Sequence, residues 1–447
     1  MNASARILNL LEITPTNEQK LALEMAAKFI STNCSDDFMI IQGSAGTGKS
    51  TIVKAITDYL SDSNHSFALA APTGKAAKVM QSKTGHSAKT IHSLIYNSEQ
   101  LENGYGVKLS RKTNMSQAIC VYIIDEASMI SDKQSSSEKF VSGTPLLSDF
   151  IKYVKEGNKQ NKIIFIGDIY QLPPVGSLES PALSLDYLKG QKNLKGKMAV
   201  LTEVKRQGSD SYILKNATNL RKSIENGYFF QGIESERINN RSTGALYKFV
   251  ELFEKENFGK VALIAWTNKD VNWFNNAIRT RLGFDNSKLC VGDQVSMHQN
   301  WIGNGHFILK GETGIIRQIN TMEIYAGMNF ATAEIEFTDH KGSPFQITSK
   351  VLIESLTSET GDIGFENENT LFAEAMKRNG AFRQSKSIAD DKYLSALRLR
   401  YAYATTCHKA QGSEWEHVIL HPYMNKDLRW QYTAITRASK ELYTFAA

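Results

Sequence analysis

The sequence predicts an α/β chain with two parallel-sheet cores, a small hairpin inserted in the first and a small β module inserted in the second. Three observations carry this reading. Short apolar runs alternate with amphipathic stretches along most of the 447 residues. One such run ends at the glycine-rich loop "GSAGTGKS", which opens an apolar-faced helix. Between Cys290 and about Asp391 the pattern changes to β-type segments such as "ETGIIRQI", "ATAEIEF" and "FQITSKVLI".

The candidate strands of the first set are Phe38–Gln42, Phe67–Ala71, Ile119–Ile124, Ile163–Gly167 and Ala199–Leu201. The second set is Val261–Ala265, Arg400–Thr405, Val418–Leu420 and Leu442–Phe445. Two sets of strands spaced by helical patterns imply two nucleotide-binding-type cores. Residues 97–116 are polar and carry Gly104 and Gly106 around Tyr105, the pattern of a hairpin. The expected division is 1–96 with 117–198 for the first core, interrupted by the hairpin at 97–116. The second core takes 199–290 and 392–447, interrupted by the β module at 291–391. Residues 135–144 are rich in Ser and Gly and read as a loop.

Composition excludes several classes. The apolar content of 41% is enough for packed cores, so the chain is not disordered. A net charge of +6 suits a polyanionic partner without requiring one. Cys34, Cys120, Cys290 and Cys407 are scattered, with no C-x-x-C, which favours a reduced, cytoplasmic setting over a disulfide framework or zinc site. Residues 1–16 lack the apolar core of a signal peptide, and no apolar run approaches a membrane-spanning length.

Gly43, Gly48, Lys49 and Ser50 fit the phosphate-binding pattern G-x-x-x-x-G-K-[ST], after a strand and before a helix. The segment Gly43, Ser44, Ala45, Gly46, Thr47, Gly48, Lys49, Ser50 and Thr51 would wrap its amides around phosphate oxygens at a helix N-terminus. Lys49 would reach the β and γ phosphates, and Ser50 would bind Mg²⁺. "VYIIDEAS" places Asp125 and Glu126 at a strand's carboxyl end, where Asp125 would hold Mg²⁺ through water and Glu126 would act as general base. "IIFIGDIYQLPPV" repeats that geometry with Gln171, a neutral amide able to contact both γ phosphate and attacking water. "TNKD" lacks the spacing of a guanine-reading N-K-x-D, which argues against GTP.

These segments carry a resemblance. "QGSAGTGKST", "APTGKAAKVM", "TIHSLI", "VYIIDEASMI", "FIGDIYQLPPV", "LTEVKRQ", "ATTCHKAQGSEW" and "YTAITRAS" follow the order seen in superfamily 1 DNA helicases. The chain resembles the RecD/Dda subclass from Gln19 to Arg437. Its compactness is similar to the phage Dda type, while "APTGKAAK" and "AITRAS" look closer to RecD.

The resemblance implies two RecA-like cores, an SH3-like β-barrel as the inserted module, and ATP with Mg²⁺ as cofactors. It implies that Arg206 and Arg437 are arginine fingers, that Gln19 reads adenine, and that Gln411 and Gly412 link nucleotide state to DNA. Pro72, Thr73, Lys75, Thr90 and His92 of the first core would grip the DNA backbone, as would Thr267, Asn268, Thr406, His408 and Lys409 of the second. The implied activity is ATP-dependent unwinding, 5′ to 3′ along single-stranded DNA, at forked duplexes. The expected setting is a bacterial or phage-infected cell, in replication or recombination, alongside single-strand binding proteins, with action as a monomer open. Two other readings stand beside it: a translocase or RecD-like subunit that needs partners to unwind, and a binding module without ATPase activity. Tyr105 reads equally as a strand-splitting wedge or an ordinary exposed tyrosine, and Trp301 as a base-stacking group or a packing residue of the β module.

Overall fold

A computed structural model describes residues 3–446 apart from 12, 32–33, 101–106, 135, 138–139, 142–143, 205–210, 229–231, 257–258, 304–305, 340–341, 359–361 and 423–426. The chain divides into two units, Met1–Gln100 with Gly106–Tyr228, and Leu101–Tyr105 with Phe229–Ala447.

In the first unit, α1 (Ala3–Asn9) and α2 (Asn17–Ile30) lead into β1 (Phe38–Gly43), α3 (Lys49–Asp62), β2 (Ser66–Ala71) and α4 (Gly74–Thr84). Next come β3 (Ala88–Thr90), α5 (Ile91–Ile95), β4 (Tyr96–Gln100), β5 (Val107–Arg111) and β6 (Cys120–Ile124). β7 (Ser136–Ser137), β8 (Phe140–Val141), α6 (Leu146–Gly157), β9 (Lys162–Gly167), α7 (Leu185–Gly190), β10 (Gly196–Leu201) and α8 (Tyr212–Asn226) complete it. Six strands form one parallel sheet in the order β10-β1-β9-β6-β2-β3. Alternate residues of β1 feed two cores. Met39 and Ile41 pack with residues of α1, α2 and α3, while Phe38 and Ile40 pack with Ile91, Phe150 and Leu188. A parallel sheet covered on both faces needs this continuous apolar pattern.

Two expectations are corrected here. β10 lies beside β1, Phe38 opposite Gly196, so the first core does not end at residue 198 but runs through α8 to Tyr228. The 135–144 stretch is not only loop. It contributes β7 and β8, and β8 runs parallel to β5, giving a four-stranded sheet β4-β5-β8-β7. β4 and β5 form the expected antiparallel hairpin, from Tyr96 opposite Arg111 to Gln100 opposite Val107. Its tip, with Tyr105, lies outside the described residues.

The second unit begins with β11 (Glu236–Ile238), α9 (Arg241–Glu256), β12 (Val261–Ala265) and α10 (Asn268–Arg281). Its insertion carries β13 (Gln294–Met297), β14 (Trp301–Gly303), β15 (His306–Ile308), β16 (Thr313–Tyr325), β17 (Met328–Thr338) and β18 (Pro344–Leu352). Three helices follow, α11 (Glu354–Thr357), α12 (Phe365–Arg378) and α13 (Gly380–Ser385), and then β19 (Leu397–Tyr401). β20 (Ala404–Thr406), α14 (Cys407–Ala410), β21 (Trp415–Leu420), α15 (Leu428–Ile435) and β22 (Ala438–Phe445) close the unit. The second parallel sheet has the order β11-β22-β21-β12-β20.

A closed barrel of β13, β16, β17, β18 and β19 stands in the insertion. Its last strand shows that Arg400–Thr405 is not one strand. The chain turns at Ala402 and Tyr403, leaving β19 in the barrel and β20 in the sheet. The barrel therefore reaches past residue 391, and residues 354–385 are largely helical rather than β. Val295 and Leu399 of the barrel share one apolar cluster with Val261 and Leu263 of β12, so the barrel and sheet cores are continuous within this unit. Trp301 is buried, with its indole N–H donating to the Ser395 carbonyl at 2.9 Å, so it packs the module. No described helix is long and apolar enough to cross a membrane.

Candidate functional site

β1, β9 and β6 are neighbours and all run the same way, so their carboxyl ends lie side by side. After β1 comes the 43–51 loop; after β9, Gln171; after β6, Asp125 and Glu126. Three segments that are far apart in sequence thus meet at one sheet edge, the edge where open α/β sheets hold ligands.

The loop is held by its own glycines. Gly46 and Gly48 both sit at φ +82°, the left-handed region that glycine enters without cost. A Cβ on Gly43 would meet Thr47 Oγ1 at 2.6 Å. Ser44, Ala45, Gly46 and Thr47 form the turn, and the Thr47 hydroxyl donates to the Ser44 carbonyl at 2.9 Å. Gly48 caps α3, whose first turn holds Lys49, Ser50 and Thr51. Lys49 Nζ donates to the carbonyls of Gly43 at 2.6 Å and Ser44 at 3.0 Å.

Gln19 sits against this loop with its carboxamide engaged. Its oxygen accepts from the Thr16 N–H at 3.0 Å, completing a capping box on α2, and its nitrogen donates to the Thr47 carbonyl at 2.9 Å. A Cβ on Gly48 would meet that nitrogen at 2.4 Å. The side chain thus ties a helix start to the phosphate loop, a task that the sequence reading did not assign.

Asp125 is half-buried, and desolvation pushes its carboxyl above the ordinary range against the Glu126 N–H and the nearby charges of Lys49 and Lys83. Glu126 holds a left-handed φ of +50°, uncommon for a side-chain-bearing residue. Gln171 is almost fully buried, and its Oε1 has no hydrogen-bond partner among the described residues. Lys83, at the end of α4, donates from Nζ to Ser50 Oγ at 3.2 Å. A cation therefore already stands against the hydroxyl that would bind Mg²⁺, with its charge felt by the carboxylate expected to hold the same ion. Ser50 and Asp125 are oxygen donors of the kind Mg²⁺ takes together with substrate phosphates and water, so these residues fit the ion.

The residues proposed to grip DNA fall into two similar edges. In the first unit, Ala71 of β2 pairs with Thr90 of β3. Pro72 follows β2, Thr73 caps α4 with its hydroxyl on the Ala76 N–H at 3.2 Å, and Lys75 lies in the first turn. Thr90 caps α5 on the Ser93 N–H at 3.1 Å, and His92 is exposed there. In the second unit, Ala265 of β12 pairs with Thr406 of β20. Thr267 caps α10 in a capping box with Asp270, and Thr406 precedes α14. Lys409 Nζ donates to Asn268 Oδ1 at 3.0 Å, joining two of the expected contacts. Lys409 and His408 are exposed, yet desolvation by their surroundings, with Arg400 and Lys310 nearby, pushes the Lys409 ammonium down to about 8, and desolvation also lowers His408.

Arg437 is buried in the second unit. It donates to the carbonyls of Thr433 at 3.0 Å and Ser413 at 3.1 Å, beside the segment with Gln411 and Gly412. Arg206 lies outside the described residues. Sequence reasoning missed Lys83, Glu18 and Arg221. Arg221, on α8, donates to Ser44 Oγ at 3.0 Å, and no motif marks it.

This edge defines the class: a P-loop nucleotide-binding fold followed by a second parallel sheet with an inserted barrel. Residues 16–233 match the AAA domain family, and residues 401–444 match the UvrD-like helicase C-terminal domain. The chain is 24% identical over 437 residues to the ATP-dependent RecD2 DNA helicase of Deinococcus radiodurans, covering 96% of this chain and 50% of that protein. It is 29% identical over 297 residues to the ATP-dependent DNA helicase dda of Enterobacteria phage T4, covering 64% and 61%. The chain thus spans about half to three-fifths of the length of these curated relatives. Among solved structures, the Pif1 helicase of Candida albicans aligns over 97% of this chain and 95% of its own, with a TM-score of 0.55 at 17% identity. That likeness is one of fold. The resemblance to superfamily 1 helicases of the RecD/Dda subclass is borne out by these matches.

Proposed function

We propose that the chain is an ATP-dependent DNA helicase that moves 5′ to 3′ on single-stranded DNA and opens duplex at forks. The single observation that carries this is the meeting of the phosphate loop, Gln171 and the Asp125–Glu126 pair at the ends of β1, β9 and β6. Backbone amides of residues 44–49 and the α3 N-terminus would take the phosphates of ATP. Lys49 would leave the Gly43 and Ser44 carbonyls for the β and γ phosphates. Ser50 and Asp125 would hold Mg²⁺, which would neutralise phosphate charge during transfer. Glu126 would orient and deprotonate the attacking water, with Gln171 as the amide that follows the γ phosphate. The resemblance supports Arg206 and Arg437 as arginine fingers, and the 5′ to 3′ direction.

DNA would be gripped by the two strand-end edges. Each offers threonine-capped helix starts with basic or imidazole side chains, which suits backbone contact without base reading. A second reading, a translocase subunit that needs partners, is favoured by the 26% identity to the RecBCD enzyme subunit RecD of Buchnera aphidicola, over 92% of this chain. The test is ATP hydrolysis with and without single-stranded DNA. Stimulated turnover that Lys49→Ala reduces by at least 100-fold supports the motor; turnover indifferent to both DNA and Lys49 contradicts it.

A further inference from the structure

Arg221 stands out among residues that the function above does not use. It lies on α8, yet its Nη1 reaches Ser44 Oγ of the phosphate loop at 3.0 Å and the Thr202 carbonyl at 3.4 Å. Its side chain is only 16% exposed, and Ser44 is buried. Its Nε lies 4.0 Å from Glu225, whose carboxylate also accepts the Tyr170 hydroxyl, next to Gln171. Thr202 and Glu203 are themselves fastened. Their N–H groups and the Thr202 hydroxyl all donate to the Glu18 carboxylate, beside Gln19. Those hydrogen bonds outweigh burial and, with Arg221 nearby, hold the Glu18 carboxyl below its ordinary range.

Ser44 is therefore held from two sides. Its carbonyl accepts Lys49, and its hydroxyl accepts Arg221. Any phosphate that draws Lys49 away changes what holds Ser44. The guanidinium's fixed fork carries that change to Thr202, four residues before Arg206, and through Glu225 to Tyr170.

We propose that Arg221 is a positioning residue that couples the phosphate loop to Thr202 and, through Glu225, to Tyr170 beside Gln171, so that the loop distinguishes ATP from ADP. This rests on the nucleotide-binding reading given above. It assigns Arg221 no contact with substrate, since its action passes through Ser44.

A double-mutant cycle tests it: the native chain, Ser44→Ala, Arg221→Ala and the double variant. Each is titrated with fluorescent ADP and with a fluorescent non-hydrolysable ATP analogue, each with Mg²⁺, after melting confirms folding. Arg221→Ala is expected to weaken the ATP analogue about ten-fold more than ADP. Ser44→Ala should do the same, and the double variant should be no worse than the weaker-binding single. Arg221→Lys should recover part of the preference, and it carries the test with Ser44→Ala if Arg221→Ala does not fold. Additive losses, equal losses for both nucleotides, or an unchanged analogue affinity would overturn the proposal alone. If the native chain binds neither nucleotide, the ATPase reading fails and takes this one with it.

Discussion

Lys83 Nζ lies 3.2 Å from Ser50 Oγ, so a lysine from the end of α4 occupies the hydroxyl expected to bind Mg²⁺. A Mg²⁺ ion bound at Ser50 would compete with Lys83 for one oxygen. Lys83→Ala should therefore lower the Mg²⁺ concentration needed for half-maximal nucleotide binding by about two- to five-fold, a modest effect because the lysine is exposed. Ser50→Ala should raise it by about ten-fold or more by removing a ligand. A Mg²⁺ titration of nucleotide binding reads both; an opposite shift in Lys83→Ala removes the competition.

Gln19 bridges the Thr16 N–H and the Thr47 carbonyl. Gln19→Ala removes a capping-box partner and two buried hydrogen bonds, an expected loss of about 1–3 kcal/mol in chemical denaturation. Because the carboxamide braces the loop, affinity for ATP and GTP should fall together. Loss of ATP affinity alone would instead assign Gln19 to reading the base, as the family resemblance implies.

Lys409 supplies the pH dependence. Desolvation of its ammonium, with Arg400 and Lys310 nearby, pushes Lys409 down to about 8, below the ordinary lysine value, although the residue keeps solvent access. It is charged below that value and loses its charge as pH rises through it. Affinity for single-stranded DNA should therefore fall between about pH 7 and 9. Lys409→Arg, charged throughout, should flatten the profile, and Lys409→Ala should lower the salt slope of binding by about one. A profile unchanged in Lys409→Arg would place the titrating group elsewhere.

Arg279 is fully buried in the second unit. Nε and Nη2 donate to Asp293 at 2.7 and 2.8 Å, Nη2 also faces the Asp285 and Lys288 carbonyls, and the guanidinium lies 4.0 Å from the Tyr401 ring centre. Arg279→Ala leaves Asp293 charged and buried, so unfolding of this unit should cost about 3–5 kcal/mol less. A loss under 1 kcal/mol in urea denaturation would mean that water or rearrangement satisfies Asp293.

The phosphate loop was legible in the sequence because its geometry is local: Gly46 and Gly48 must take positive φ, and strand and helix flank them within a dozen residues. The meeting of Asp125, Gln171 and Lys49 followed from strands that end at one edge. Which sheet a strand joins was less legible, since parallel pairing links distant segments and leaves no periodic trace. β10 could not be assigned to β1 from its own residues, and the split between β19 and β20 depends on barrel closure by Val295 opposite Tyr401. β7 and β8, two residues each, are too short to show alternation. Arg221 and Lys83 sit on amphipathic helices where a cation looks like any solvated charge. Only the tertiary path of α8 and α4 brings them to Ser44 and Ser50.

The most direct measurement is unwinding of two matched partial duplexes, one with a 5′ single-stranded tail and one with a 3′ tail, with ATP, Mg²⁺ and Lys49→Ala as control. The expected result is opening of the 5′-tailed duplex alone, lost in the control. Opening from the 3′ tail alone would keep the motor and contradict the direction. No opening of either, with DNA-stimulated ATP hydrolysis intact, would contradict the helicase and leave a translocase that needs partners.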